Sequence, residues 1–314
     1  MKRRSPLLSD EPHELLDHLE ISSLADSDRN ASAAQLRGDL GLAGSSDAMD
    51  EDEEDQNEVT ESERMDGIVD AVLTEAEARI MACGEKNYPF LLRRKALLSR
   101  DARYTSVYTF LLLLSAYGED AVPSLDAAKL FEDVSAHAAK VYFGSPQEPA
   151  HTFVFGFPRR IGPKDFPGAL QELCAGKIRE GQPDNKMPGV SSMKDAGLDI
   201  VTWKPFTDNR SSKLIAFGQC ATGQNWREKR HELQPADWCR TWLLKTPQVH
   251  PIKVFFVPHA VNDKDWAALG YQAGIIFDRV RIAHFAEKKL PKVERSKIRT
   301  WSKSVLVELR SGAR

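Results

Sequence analysis

Two segments of the chain decide the fold prediction: Gly197-Leu198-Asp199-Ile200-Val201 and Leu214-Ile215-Ala216-Phe217-Gly218-Gln219-Cys220-Ala221. Each is short and apolar, which predicts a buried β-strand, and each carries one polar side chain, Asp199 or Gln219. The residues between them, Thr207 to Ser211, are turn formers, so we expect the two strands to form a hairpin. A carboxylate in an apolar strand is costly unless something pairs with it, and a divalent metal is one such partner.

Outward from this hairpin, helical and strand patterns alternate. Upstream, we expect a helix that opens at Pro123-Ser124, a strand over 152–157 and a helix over 165–180. Downstream, the pattern predicts a helix interrupted at Pro235, a strand over 253–258, a short helix over 265–271 and a strand over 274–279. This order predicts an α/β fold with a mixed central sheet flanked by helices, spanning residues 122–290.

The remaining segments have simpler patterns. Residues 1–22 contain apolar positions at helical spacing and predict one short helix. Residues 23–64, rich in Ser, Asp, Glu, Gly and Ala, predict a flexible acidic linker. Residues 65–121 contain two helical patterns and predict a helical subdomain, and residues 291–314 form a basic C-terminal tail.

Composition is typical of a soluble globular protein, with 41% hydrophobic and 28% charged residues among 314. The four cysteines form no CxxC pair, so we expect no structural zinc site and a reduced, cytoplasmic setting. No apolar stretch follows the basic residues after Met1, so no secretory signal is expected. The longest apolar run, Val107 to Tyr117, is too short to span a membrane and predicts a core helix.

The net charge of −3 hides an asymmetry along the chain. From Asp47 to Glu63 there are ten acidic residues and no basic one, whereas Arg279 to Arg314 contains eleven Lys or Arg and three Glu. A basic C-terminal segment is a candidate contact for the phosphate backbone of nucleic acid. The alternative is a solvated surface, which is the usual role of such runs.

The order of the short motifs resembles the PD-(D/E)xK restriction-endonuclease-like superfamily, and within it the Mrr-like branch. The resemblance covers residues 124–286 and starts with a helix that contains Phe131-Glu132. Asp195-Ala196-Gly197-Leu198-Asp199 is similar to the "D-G-G-I-D" strand of that branch, and Gln219-Cys220-Ala221 to its "Q-C-K" strand. Two later strands, Val254-Phe255-Phe256-Val257-Pro258 and Gly274-Ile275-Ile276-Phe277-Asp278, complete the pattern.

The resemblance implies hydrolysis of phosphodiester bonds with Mg²⁺ or Mn²⁺ as cofactor. Mg²⁺ prefers hard oxygen ligands and keeps several waters. By resemblance, the metal ligands would be Asp199, the side-chain carbonyl of Gln219, the backbone carbonyl of Cys220, and Glu132, which would bind the metal or its water.

One position departs from the family pattern. The lysine that normally lies two residues after the Glu or Gln is Ala221 here. That lysine orients the attacking water and stabilises developing negative charge, which alanine cannot do. Lys229, in the helix after the strand, is the candidate for a relocated catalytic lysine.

Two functions are therefore expected from the sequence. The first is a metal-dependent endonuclease acting on DNA, in a cytoplasmic defence against foreign DNA, in which Arg227, Lys229 and Arg230 hold phosphates. The second is a catalytically impaired module on the same fold that binds nucleic acid or a partner protein within a larger system. A homodimer is a further expectation from the resemblance.

Each candidate site residue also has a structural alternative. Asp199 could bond a nearby turn, Gln219 could cross-link strands, and Glu132 could be an exposed helix residue. Cys220 is expected as a core residue and not a nucleophile, because no basic partner stands at motif spacing. Four tryptophans surround the site segments and could stack on bases or form core: Trp203, Trp226, Trp238 and Trp242.

Overall fold

The computed structural model describes residues 11–44, 54–101 and 104–312. The chain divides into two compact units. Unit 1 comprises Met1–Leu125 together with Arg295–Arg314, and unit 2 comprises Asp126–Glu294. No helix in the described ranges combines the length and the apolar character that crossing a bilayer requires.

Unit 1 combines helices with a small antiparallel sheet. Its helices are α1 (Pro12–Ala25), α2 (Ala33–Gly44), α3 (Glu54–Cys83), α4 (Val107–Tyr117) and most of the C-terminal helix (Lys292–Gly312). Its strands are β1 (Asn30–Ser32), β2 (Phe90–Arg93) and β3 (Ala96–Ser99), arranged in the order β1-β3-β2. The apolar run predicted as a core helix is α4, and its residues from Val107 to Ser115 are all buried.

The prediction of a flexible linker over 23–64 is wrong for much of the part that the structure describes. Strand β1, helix α2 and the start of α3 lie there. Leu36 and Leu40 lie one helical turn apart on α2 and are only 1% and 6% exposed. These few apolar residues suffice because tertiary packing decides whether a weakly patterned helix forms. Residues 45–53 lie outside the described residues.

The basic tail predicted over 291–314 is the C-terminal helix. Ile298, Trp301 and Val305 repeat at helical spacing and are fully buried. The Trp301 ring packs edge-on against Phe110 of α4, with 5.3 Å between centroids. The charged residues of this segment therefore alternate with a stripe that belongs to the core of unit 1.

Unit 2 is built on a five-stranded mixed sheet, as predicted. Its strands are β4 (His151–Val154), β6 (Ile200–Lys204), β7 (Leu214–Cys220), β9 (Ile252–Phe256) and β10 (Ile275–Phe277), in the order β10-β9-β7-β6-β4. The predicted hairpin is the antiparallel pair β6–β7, in which Ile200 faces Gly218. Strand β9 runs parallel to both β7 and β10. Two short strands, β5 (Gln182–Pro183) and β8 (Leu243–Lys245), pair separately.

Helices flank this sheet. They are α5 (Ala127–Phe143), α6 (Phe166–Gln171, continued by a π-helical turn to Ile178), α7 (Trp226–Lys229), α8 (Pro235–Trp242), α9 (Asp263–Ala273) and α10 (Arg279–Ala286). Helix α5 packs across β4, β6 and β7 and against α10. Phe217 of β7 packs instead against Trp238 of α8, 5.2 Å between ring centroids. Because successive strand residues point to opposite faces, residues 218 and 220 share one face and residues 217 and 219 the other.

Candidate metal centre

Helix α5 brings Glu132 to the sheet. Its start is fixed by Asp126, whose side chain accepts a hydrogen bond from the backbone N–H of Lys129 at 2.9 Å. Leu130, Phe131 and Val134 form the buried stripe that holds α5 on the sheet. Glu132 lies beside that stripe and is only 7% exposed, so the alternative of an exposed helix residue is wrong.

A tight turn delivers Asp199 to the same place. Asp195 accepts a hydrogen bond from the N–H of Gly197 at 3.0 Å, and Ala196 and Gly197 both have positive φ, 55° and 76°. Only glycine adopts this backbone region without steric cost, so Gly197 fits its position whereas Ala196 is strained. Asp199 follows just before β6, and its carboxylate accepts the N–H of Cys220 at 2.7 Å.

The carboxylates of Glu132 and Asp199 meet beside Gly156, in the loop after β4. A Cβ atom added to Gly156 would lie 2.9 Å from Asp199 Oδ1 and 2.9 Å from Glu132 Oε2. The space between the two carboxylates therefore exists because residue 156 has no side chain. We call Glu132, Asp199 and Gly156, together with Lys129, the carboxylate centre.

The electrostatics of the carboxylate centre are unusual for two acidic residues. Burial and, next, the nearby negative charge of Glu132 together raise the pKa of Asp199 to about 8, although the hydrogen bond from the Cys220 N–H acts in the opposite direction. Burial also raises the pKa of Glu132 to about 7, although Lys129 lowers it. The two carboxyl groups resist being ionised at the same time. A bound cation would stabilise the state in which both are ionised.

Lys129 is the cation that the structure places at this centre. Its ammonium lies 2.8 Å from both carboxylate oxygens of Glu132, and its side chain is buried. The sequence reasoning missed Lys129, although its position three residues before Glu132 puts both side chains on one helix face. Strong pairing of this kind fixes the orientation of the Glu132 carboxylate.

The structure does not bring Gln219 to the same face as Asp199. The thiol of Cys220 lies near Ser135 of α5, Asp199 and Glu132, and burial with these charges raises its pKa well above the ordinary value. Gln219 therefore points to the opposite face of β7. There its amide Nε2 donates to Glu232 at 2.7 Å, while its buried Oε1 has no hydrogen-bond partner among the described residues.

The predicted relocated lysine lies in a different element from the carboxylates. Lys229 is the last residue of α7 and is half-buried, and its ammonium makes no ion pair within the described residues. Ala221, at the family's lysine position, is fully buried in a cluster with Trp226, Phe255 and Val257. A long charged side chain at 221 would have to displace that cluster.

The residues at the carboxylate centre fit Mg²⁺ or Mn²⁺. Among the described residues, no group of three or more His, Cys, Asp or Glu side chains forms a ready-made metal cluster. Mg²⁺ commonly needs only one or two carboxylates and keeps its waters. The Cys220 N–H points at Asp199, and in an extended strand the carbonyl of the same residue lies on the same side, so this carbonyl is available as a third oxygen.

The four tryptophans near the site segments belong to the core. Trp203, Trp226, Trp238 and Trp242 are 8%, 2%, 5% and 8% exposed. They cannot offer a face to a nucleobase without rearrangement. The aromatic residue that follows Gly156 in the chain, Phe157, is by contrast 42% exposed.

Comparisons with known proteins add no identification. No family model, curated protein or solved structure matches this chain.

Proposed function

We propose that unit 2 is a metal-dependent phosphodiesterase that cleaves DNA internally, with the carboxylate centre as its active site. The observation that carries the proposal is the meeting of Glu132 and Asp199 at Gly156, in a partly desolvated site with both pKa values raised. Perturbed acidic pairs of this kind concentrate at functional sites. The resemblance of residues 124–286 to PD-(D/E)xK nucleases supports the same reaction class.

Hydrolysis adds a water oxygen to phosphorus, breaks one bridging P–O bond and transfers a proton to the leaving oxygen. When bound, Mg²⁺ supplies positive charge to the phosphate and lowers the pKa of a water ligand. Asp199 and the Cys220 carbonyl would hold the ion. Glu132 would orient the attacking water, because its carboxylate is fixed by Lys129 and faces the same space.

Lys129 is the candidate for the role that Ala221 cannot play. Its ammonium is the only positive charge paired with Glu132 among the described residues. As the phosphate enters, the same ammonium can stabilise negative charge that develops on it. This assignment replaces Lys229 in the proposal, since Lys229 has no contact with either carboxylate in the described hydrogen bonds and ion pairs.

The proposal is tested by nicking of supercoiled plasmid by the full chain with Mg²⁺ or Mn²⁺. We expect cleavage by the wild type and at least a hundredfold loss in Asp199→Asn and in Lys129→Met. Asp208→Asn is the matched control, because Asp208 is an exposed carboxylate that also accepts a backbone N–H, from Arg210. Folded wild-type protein that cuts neither supercoiled plasmid nor circular single-stranded DNA with either metal would reject the enzyme proposal.

One observation favours a second function, a nuclease-fold module that binds nucleic acid or a partner protein without cutting. Gln219 is bonded to Glu232 on the face opposite Asp199, so the centre has two carboxylates and no amide ligand. In that case Asp199→Asn leaves function in cells unchanged, while binding remains salt-dependent. A role in defence against foreign DNA, with a protein partner or a second copy, is part of both proposals and rests on the resemblance alone.

A further inference from the structure

We infer that Phe157 is a base-stacking platform, so that the carboxylate centre acts on a single-stranded segment of nucleic acid. This inference rests on the proposed function of the centre for its location, but not for its test. Phe157 is 42% exposed and directly follows Gly156, the residue at which an added Cβ would meet both carboxylates. An aromatic ring next to the reacting phosphate is positioned to stack on the adjoining base.

The backbone that carries the exposed ring is anchored by hydrogen bonds. The N–H of Phe157 donates to Asp195 at 3.0 Å, and the N–H of Gly156 donates to the backbone carbonyl of Asp199 at 3.0 Å. Two residues later, the buried guanidinium of Arg159 donates to the carbonyls of Lys164 and Lys194. The loop that carries Phe157 is thus tied to the strand that carries Asp199, which lowers the entropy cost of stacking.

One cation lies near the ring, and two further basic residues belong to the same loop. The Lys194 ammonium lies 5.5 Å from the centroid of Phe157, and Lys194 is exposed. Arg160 pairs with Asp133, the residue after Glu132, and keeps 41% of its side chain exposed. Lys164 on the same loop is also exposed. An exposed aromatic flanked by basic side chains is the arrangement that binds single strands, because the ring stacks on a base while cations contact the phosphates.

A duplex offers this platform much less. Bases in a duplex are already stacked on their neighbours, so a ring at the active site gains a partner only where a base is unpaired. The four tryptophans of unit 2 that could stack on unpaired bases are buried. Phe157 is therefore the aromatic through which the centre would distinguish a single strand from a duplex.

The test is binding of a fluorescent oligo(dT) to the full chain, with EDTA present so that no cleavage occurs. We expect the wild type to bind the single strand more tightly than a duplex of equal length. Phe157→Ala should weaken single-strand binding by about tenfold, and Phe157→Trp should restore it. This binding test does not depend on cleavage. Its result can therefore be interpreted even if the protein does not cut DNA.

Ile161→Ala is the matched control, because Ile161 lies in the same loop and is 80% exposed but offers no ring. It should bind oligo(dT) like the wild type. Thermal melts should show all three variants folded, as expected for exposed positions. Equal weakening in Phe157→Ala and Ile161→Ala, no weakening in Phe157→Ala, or duplex binding as tight as single-strand binding would each overturn the inference.

Discussion

Two buried acidic sites in this protein are compensated very differently. In unit 1, Glu20 is fully buried and its Oε1 accepts hydrogen bonds from Tyr88 at 2.7 Å, Tyr108 at 2.8 Å and Arg79 at 3.3 Å. In unit 2, the buried Lys129 pairs with Glu132, while the Asp199 carboxylate accepts a backbone N–H, from Cys220. The first arrangement pairs one carboxylate oxygen with a buried guanidinium and two hydroxyls, whereas the second leaves two carboxylates with raised pKa values.

This difference separates a structural network from a site. Arg79 also binds Asp17 at 2.6 Å and Glu75 at 2.8 Å. Burial alone would lower the pKa of Arg79. The negative charges of Tyr108, Asp17, Glu20 and Glu75 outweigh burial and hold this pKa well above its ordinary value. Because Arg79 binds three carboxylates, the negative charge of this cluster is largely balanced within the fold. The carboxylate centre has carboxyl oxygens whose ionised form a divalent cation would stabilise, and such oxygens are the ligands that Mg²⁺ prefers.

The largest expected effect comes from removing Arg79 from the buried cluster in unit 1. Arg79→Met should lower the free energy of unfolding by about 3–5 kcal/mol, because it leaves Glu20 and Asp17 as uncompensated acids near or in the core. Urea denaturation followed by circular dichroism measures the change. Lys95→Met is the control: Lys95 pairs with Asp70 at 3.4 Å with both side chains mostly exposed, and such pairs contribute about 0–1 kcal/mol. Similar stability losses in the two variants would remove the contrast between buried and surface pairing.

The next prediction concerns how the carboxylate centre makes the stability of the protein depend on pH. Because the pKa of Asp199 is about 8 in the folded protein and 3.8 ordinarily, folding favours its protonated form. The stabilisation is fully present below about pH 4 and is lost as pH rises through about 8. In metal-free buffer, Asp199→Asn should therefore be increasingly more stable than the wild type as pH rises, by at most about 1.4 kcal/mol per pH unit.

Denaturation midpoints at pH 5 and pH 8 measure this difference between the two proteins. Asp208→Asn, the exposed control, should show no such divergence. A wild type whose stability stays parallel to that of Asp199→Asn across this range would mean that Asp199 is ordinarily ionised in the fold.

A third change closes the space between the carboxylates. Gly156→Ala would place a Cβ 2.9 Å from an oxygen of each, so the two side chains must move apart. We expect Mn²⁺ to raise the melting temperature of the wild type but not of this variant. Gly67→Ala is the matched control: Gly67 lies in α3 with nothing within 4 Å of an added Cβ, so it should add about 1 kcal/mol of stability and leave the Mn²⁺ response unchanged.

The smallest effect lies in the turn before Asp199. Ala196 has a φ of 55°, a region that disfavours residues with a Cβ. Ala196→Gly should raise stability by up to about 1 kcal/mol, since relief of strain exceeds the added entropy of the unfolded chain. Chemical denaturation measures it. A loss of stability would indicate that the methyl group of Ala196 packs more strongly than the backbone is strained.

Much of unit 2 could be predicted from the sequence because its patterns are strong and local. The β6–β7 hairpin follows from two apolar runs around a turn-forming segment, and the helix expected to open at Pro123-Ser124 is α5, which Asp126 caps. The mixed sheet is confirmed for the same reason. The helices within the predicted linker were missed, because only a few apolar residues such as Leu36 and Leu40 carry them and their burial depends on the rest of unit 1.

The candidate site was predicted less completely. Glu132 is buried and lies near Asp199, whereas strand alternation places Gln219 on the opposite face from Cys220. That consequence could have been seen from the sequence once α5 was assigned to one face. Gly156 and Phe157 could not, because their role depends on where the loop after β4 passes relative to the two carboxylates.

The most direct test of the carboxylate centre is Mn²⁺ binding by isothermal titration calorimetry at pH 7.5. We predict one Mn²⁺ bound per wild-type chain, with affinity reduced at least tenfold in Asp199→Asn and in Glu132→Gln. Lys129→Met should bind Mn²⁺ at least as tightly as the wild type, because it removes a competing cation from Glu132. Equal Mn²⁺ affinity in the wild type, Asp199→Asn and Glu132→Gln would contradict the account.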